Sequence, residues 1–310
     1  MSRNYGLGSR DMVSAASIAL NLETQKKGVG YSSVGSHLDR FKLFARFVKK
    51  LGIGRMERIT FDLLVRYGKM QADKVDAEEM QASYAQNLVS SVNSVMTLAT
   101  NGDWKSVSPT KDCGIPKRSR IRNKPTVSYE LVSEAIQNLW IKGLNRQAVV
   151  AELALHLGLR SKEASLLNAV SAYDQAFRTG SVSITDGTKG GRLRELKTLS
   201  DIQLRILQTA SEIQGDARAV MPADKNWKQW REGGLREGRE FLKNESIGGY
   251  HELRACYAAC RYESLTGSSA PCNGGLILDK DLDKEARLQI SQELGHNRID
   301  ISSAYIGGRK

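Results

Sequence analysis

Between Asp103 and Thr126 the chain carries three of its five prolines and a run of five basic residues, Lys117, Arg118, Arg120, Arg122 and Lys124, with no acid among them. Prolines remove backbone donors and clustered like charges repel, so this stretch is a poor continuation of any packed element and marks a boundary. A length of 310 residues agrees, because single hydrophobic cores usually stop growing well short of it. The expected organisation is an N-terminal domain over 1–105, a basic linker over 106–127 and a C-terminal domain over 128–310.

Ahead of the linker, apolar residues recur at helical spacing. Val34, Leu38, Phe41, Phe44, Phe47, Val48 and Leu51 form one buried stripe, and Arg40, Lys42, Arg46, Lys49 and Lys50 surround it. Further helices are expected from Thr60 to Met70 and from Glu78 to Thr100, the latter turning Leu88, Val92, Val95 and Met96 inward. The result is a small helical bundle with a basic surface, which is either an ordinary solvated face or a face for phosphates. Of the formal charge of +12, all but +2 lies within the first 127 residues, which favours a polyanionic partner through counterion release. The linker cations are expected to strap a DNA backbone.

The cysteines exclude some classes. Cys113, Cys256, Cys260 and Cys272 show no paired CxxC spacing, so they read as free thiols of a reducing cytoplasm rather than as zinc ligands. No apolar run approaches the roughly 20 residues that cross a bilayer.

Beyond the linker, Ser128 with Glu130 marks a helix start. Val149 to Leu159 and Ser161 to Leu167 read as two helical pieces meeting at Gly158. The period then switches to two: Ser181 to Thr185 and Leu193 to Lys197 read as a hairpin around the Gly-rich turn Asp186 to Gly191. Helices resume over Asp201–Ile213, Gly249–Leu265, Lys284–Leu294 and Ile299–Ile306. Pro222 to Glu245 and Thr266 to Lys280 are polar or Gly-rich and read as insertions with partial helix, and no internal repeat is visible. The fold class is mainly α with one small hairpin.

Breaking a phosphodiester without a metal requires a nucleophile, cationic donors for the non-bridging oxygens, and an acid for the leaving oxygen. The C-terminal half supplies each in order: Gly158-Leu159-Arg160 with Glu163, then Lys189 in the hairpin turn, then His251 with Arg254, then Leu294-Gly295-His296, then Tyr305 nine residues on. Singly these are weak signals. Arg160 and Glu163 suit a surface pair, each histidine suits a structural role, and Tyr305 is one of ten tyrosines.

As an ordered set, GLRxxE, a turn lysine, HxxR, LGH and a following tyrosine, they resemble the signature of the tyrosine recombinase family over about residues 128–310. The resemblance implies a SAM-like helical core-binding domain ahead of a catalytic domain, the two closing on duplex DNA. It implies that Arg160 and Arg254 grip the scissile phosphate, that Lys189 protonates the departing 5′ oxygen, and that His251 accepts the nucleophile's proton. His296 would donate to the phosphate, Glu163 would hold the cluster together, and Tyr305 would form a 3′-phosphotyrosine. Arg192 and Lys162 stand close enough in sequence to compete for the lysine's role.

Integration or excision of a mobile element by a homotetramer on paired DNA sites follows from the resemblance, with no cofactor or metal and with accessory bending or directionality proteins as further partners. A bacterial cytoplasmic, nucleoid-associated location follows too. Two other readings stay open: DNA relaxation of the type IB topoisomerase kind, and a catalytically silent DNA-binding regulator. The chain departs from compact family members in the 42-position separation of Arg254 from His296, where the excess falls in an insertion over Thr266–Lys284, and in having only five residues after Tyr305. Contacts between protomers are therefore expected from the insertion or from Met1–Gly30 rather than from a long C-terminal helix.

Overall fold

The computed structural model describes residues 3–27, 31–188, 191, 193–296 and 298–309. The chain packs into two compact units, Met1–Ser119 and Arg120–Lys310. Among the described residues no helix is long and apolar enough to cross a membrane.

Among the described residues the first unit is a bundle of four α-helices: α1 (Met12–Lys27), α2 (Tyr31–Lys50), α3 (Phe61–Asp76) and α4 (Ala82–Ala99). Its core is the stripe expected of α2, with Phe41, Phe44 and Val48 buried against Leu64, Leu88, Val92 and Met96. Phe44 meets Tyr67 edge to face at 5.1 Å between ring centres, a favoured aromatic geometry. Thr60 starts α3 by accepting from the Leu63 N–H.

The proline-bearing stretch is not all linker. Val107, Cys113 and Ile115 are buried in the bundle core, and Asn93 fixes the crossing by accepting from Trp104 Nε1 at 2.9 Å and donating to the Val107 carbonyl at 2.7 Å. Its first part therefore caps the bundle. Prolines and charges signal a break in helix, but a few apolar residues suffice to pin an irregular segment.

The second unit holds α5 (Tyr129–Ile141), α6 (Asn145–His156), α7 (Ser161–Leu166) and α8 (Ala169–Thr179), then β1 (Ser181–Ile184) and β2 (Arg194–Lys197). There follow α9 (Asp201–Gln214), α10 (Trp227–Glu232), α11 (Gly234–Asn244), α12 (Tyr250–Thr266), α13 (Lys280–Glu293) and α14 (Ser303–Ile306). The strands pair antiparallel, Ser181 opposite Lys197 and Ile184 opposite Arg194. Val182, Ile184, Arg194 and Leu196 face inward.

Helix α12 is the spine of the unit. Leu253 and Cys256 pack into the larger core with α5, α6 and α9, while Tyr257, Ala258 and Tyr262 pack into a smaller core with Ile290, Leu294, Tyr305 and Ile306. Residues from both halves of the motif set thus project from one helix and its neighbours.

Three expectations change. The 222–245 stretch is an integral part of the core: Asn226 and Gln229 form a capping box, Trp230 is 2% exposed, and Leu235 and Leu242 are buried. Helix α8, absent from the expected elements, buries Ala169, Ala172 and Ala176, residues too small to announce a hydrophobic stripe. Also, α13 starts earlier than expected, where Asp279 accepts from the Asp281 and Leu282 N–H groups.

Candidate active site

Gly158 ends the α6 region with φ +59, and a Cβ there would lie 2.6 Å from the Tyr257 ring, so the tight turn demands glycine. The turn directs the Leu157 and Gly158 carbonyls inward and places Arg160 just before α7. The Arg160 N–H donates to Glu163 Oε2 at 2.8 Å, the backward half of a capping box.

Glu163 is wholly buried and sits among three guanidinium groups. Arg160 Nη1 pairs with Oε1, Arg194 Nη1 lies 2.9 Å from Oε2, and Arg254 Nη1 lies 3.7 Å from Oε2. Burial pulls its pKa upward, but Arg194, the Arg160 N–H, Arg160 and Arg254 outweigh that and hold the carboxyl below its ordinary value. Burial, with Arg254 nearby, pushes Arg194 down to about 10, so it stays charged near neutrality. Three cations around one carboxylate leave a local surplus of positive charge, which suits a bound anion.

Arg254 projects from the first turns of α12 and is 2% exposed. Its Nη1 donates to the Gly158 carbonyl, its Nη2 donates to the Leu294 carbonyl at the end of α13, and its Nε donates to Tyr305 Oη at 3.1 Å. The guanidinium carbon lies 5.4 Å from the Tyr305 ring centre. Arg160 Nη2 also reaches the Leu294 carbonyl at 3.5 Å and stands 3.1 Å from His296 Nε2.

Gly295, at φ +66, turns the chain after α13 and so aims His296 back at the cluster. The His296 N–H donates to the Ser291 carbonyl at 2.7 Å, and Ser291 Oγ donates to the His296 carbonyl at 2.9 Å. The His251 ring is exposed and stands 5.5 Å from the Tyr305 ring, with the His296 ring at 6.3 Å. Arg160, Glu163, His251, Arg254, His296 and Tyr305 therefore converge. Lys189, like Arg192, lies outside the described residues. The hairpin turn that leads to it passes the cluster, since a Cβ on Gly187 would lie 2.8 Å from the Lys162 carbonyl.

Arg194 was not among the expected site residues. It is 3% exposed, and its Nη2 also donates to the Leu157 carbonyl at 2.5 Å. The available signal was a basic residue at an inward position of an alternating strand, which requires a buried acid to partner it.

The candidate DNA-contact residues divide. Arg46, Lys49 and Lys50 are exposed on α2, Arg40 and Lys42 half-buried there. Lys42 pairs with Asp39 and Lys49 with Asp11. Lys117, Arg118, Arg120 and Lys124 are exposed. Arg122 instead turns inward: its side chain is 8% exposed, it pairs with Glu252 beside His251, and its Nη2 donates to the Pro125 carbonyl at 2.7 Å.

Residues 114–260 match the family model described as Integrase, a span that contains Arg160, Glu163, Arg194, His251 and Arg254. No curated protein matches the sequence. Among solved structures, the fold is similar to a lambda integrase tetramer bound to a Holliday junction, with TM-score 0.60 and 13% identity over 96% of this chain and 78% of that one. It is equally similar to the Tn1549 transposon integrase in complex with transposon right end DNA, with TM-score 0.60 and 10% identity over 95% of both chains. A XerH site-specific recombinase bound to a palindromic difH substrate, in a post-cleavage complex, gives TM-score 0.56 and 12% identity over 94% of this chain and 80% of that one. Residues 114–260 thus carry an integrase match across the arginine-bearing segment, and the fold over nearly the whole chain is similar to that of these integrases and this recombinase.

Proposed function

We propose that the protein is a site-specific DNA recombinase that cleaves and rejoins DNA through Tyr305, in the service of integrating or excising a mobile element. The observation that carries this reading is the 3.1 Å bond from Arg254 Nε to Tyr305 Oη. One guanidinium both aims the phenol oxygen and stands where a phosphate would add its negative charge.

In this reaction the Tyr305 oxygen forms a bond to phosphorus while the bond to the 5′ oxygen breaks. The phenol proton leaves towards His251, and the departing 5′ oxygen takes a proton, a role assigned to Lys189. Arg160, Arg254 and His296 neutralise the charge that grows on the non-bridging oxygens, a contribution worth roughly 100- to 1000-fold per donor. One phosphoester replaces another, so the bond energy is retained in the phosphotyrosine. A second 5′ hydroxyl then reverses the step without ATP. Glu163 holds Arg160, Arg194 and Arg254 at fixed spacing, which keeps the anion site formed before DNA arrives.

Repeating the exchange through a Holliday junction requires four protomers. The tetrameric lambda integrase complex of the same fold supports that assembly for this chain. Exposed cations of α2 and of residues 117–124 would supply phosphate contacts that set position rather than sequence.

The test is a nicked suicide duplex taken from the ends of the DNA element that carries the coding sequence. The wild type is expected to form a covalent protein–DNA adduct that resists denaturation, and Tyr305→Phe to form none. An adduct that persists in Tyr305→Phe, or its absence from the wild type, refutes the proposal. Relaxation of a plasmid lacking any such site would favour the topoisomerase reading instead.

A further inference from the structure

Helix α14 spans only Ser303–Ile306, a single turn. One turn does not hold its shape in water, because nucleation fixes several dihedrals for very few bonds. The place of Tyr305 is therefore set by whatever grips the residues on either side of it.

Beside the Arg122 N–H, which donates to the Ser303 carbonyl at 2.9 Å, that grip comes from two charged residues one turn apart on α13. Arg287 is wholly buried, and its Nε donates to Asp283 Oδ1 at 2.7 Å. Its Nη1 donates to the Gly307 carbonyl at 3.0 Å and lies 3.4 Å from Ser303 Oγ, and its Nη2 lies 3.4 Å from the Gly308 carbonyl. These carbonyls follow the last turn of α14, which leaves them without helical partners. Asp283 also accepts from Tyr262 Oη at 2.9 Å and meets Arg309 Nε at 3.0 Å. Gly307 makes the turn possible: at φ +90, a Cβ there would lie 2.7 Å from the Cys272 backbone nitrogen.

We propose that the Asp283–Arg287 pair is the positioning element for Tyr305. It touches neither the hydroxyl nor DNA, and acts through the backbone from Ser303 to Gly308. The inference rests on the phosphotyrosine reaction proposed above. Apolar packing of Ile306 alone would leave the segment free to slide and rotate, whereas a planar fork of donors fixes direction as well as distance. Arg254 meets the phenol, and Arg287 holds the backbone that follows it.

The experiment compares Arg287→Lys, Asp283→Asn and Ile290→Val in the full chain. Ile290 is wholly buried on the same helix and in the same core cluster, but lies outside the ion pair. Single-turnover adduct formation is read beside DNA affinity, and amide hydrogen exchange is read at residues 303–308 and 250–266. Arg287→Lys keeps the charge and loses the fork. It is expected to slow adduct formation by about 100-fold, the order of loss for a misplacement near 1 Å, with DNA affinity unchanged. Exchange is expected to quicken at 303–308 and not at 250–266, while Ile290→Val keeps the wild-type rate.

Cleavage by Arg287→Lys at the wild-type rate overturns the proposal, as does an equal loss in Ile290→Val. Should Asp283→Asn fail to fold, Arg287→Lys decides. Should the wild type form no adduct, the recombinase reading falls by itself, and the anchor is judged on exchange: unaltered exchange at 303–308 in Arg287→Lys then overturns it.

Discussion

Replacing Glu163 by Gln keeps the shape of the side chain and removes one charge from the centre of three guanidinium groups. The glutamine oxygen can still accept from the Arg160 N–H, which the glutamate meets at 2.8 Å. Its amide group, however, presents donors to other donors. Arg194, whose side chain is 1% exposed, loses the carboxylate at 2.9 Å and keeps the Leu157 carbonyl as the acceptor for Nη2. Breaking one partner out of a buried pair leaves an uncompensated buried charge and costs about 3–5 kcal/mol. With a urea m-value of about 2 kcal/mol/M, the midpoint should fall by roughly 2 M. Tryptophan fluorescence follows the affected unit, because Trp140, Trp227 and Trp230 lie in it and only Trp104 lies in the other. The effect also has a pH signature. Glu163 is held below its ordinary value in the fold, so its contribution is complete above the unfolded value of about 4.3 and disappears as pH falls through the lower folded value. The gap between wild type and Glu163→Gln should therefore be widest at neutral pH and close in acid. A gap below about 1 kcal/mol at neutral pH, or one that does not narrow on acidification, would refute the claim that this carboxylate holds the arginines.

Arg254→Lys should lower single-turnover adduct formation by roughly 100- to 1000-fold while gel-shift affinity for DNA is kept, because one ammonium cannot serve the Gly158 carbonyl, the Leu294 carbonyl and Tyr305 Oη together. Trp230→Ala should cost about 3–5 kcal/mol by urea unfolding, since the ring is buried and its Nε1 donates to Ser165 Oγ at 3.0 Å. A loss below about 0.5 kcal/mol would instead return the 222–245 stretch to the status of an insertion outside the core.

What could be read from the sequence followed the strength of each physical signal. The α2 stripe and the hairpin alternation are large apolar patterns, and both elements lie where those patterns predict them. The ordered polar residues from Arg160 to Tyr305 were visible because their sequence order is itself informative. Arg194 was not, because one arginine in a strand says nothing until the opposing acid is known to be buried. Helix α8 hides behind alanines, and α11 shows a largely charged surface around the few residues it buries, Leu235, Gly238 and Leu242. Arg122 illustrates a different limit: a cation in a basic run looks like its neighbours, yet a single carboxylate, Glu252, draws it inward.

The Leu157, Gly158 and Leu294 carbonyls aim Arg194, Arg160 and Arg254. Main-chain oxygens are supplied by every residue type, so replacing a side chain there does not delete the acceptor. A scan by single substitutions would overlook these positions as hydrogen-bond acceptors, while a one-residue deletion between Leu157 and Arg160, or at the end of α13, would shift the aim of the arginines at once. Such a centre can tolerate wide drift in the surrounding sequence provided that the length and path of its loops are kept.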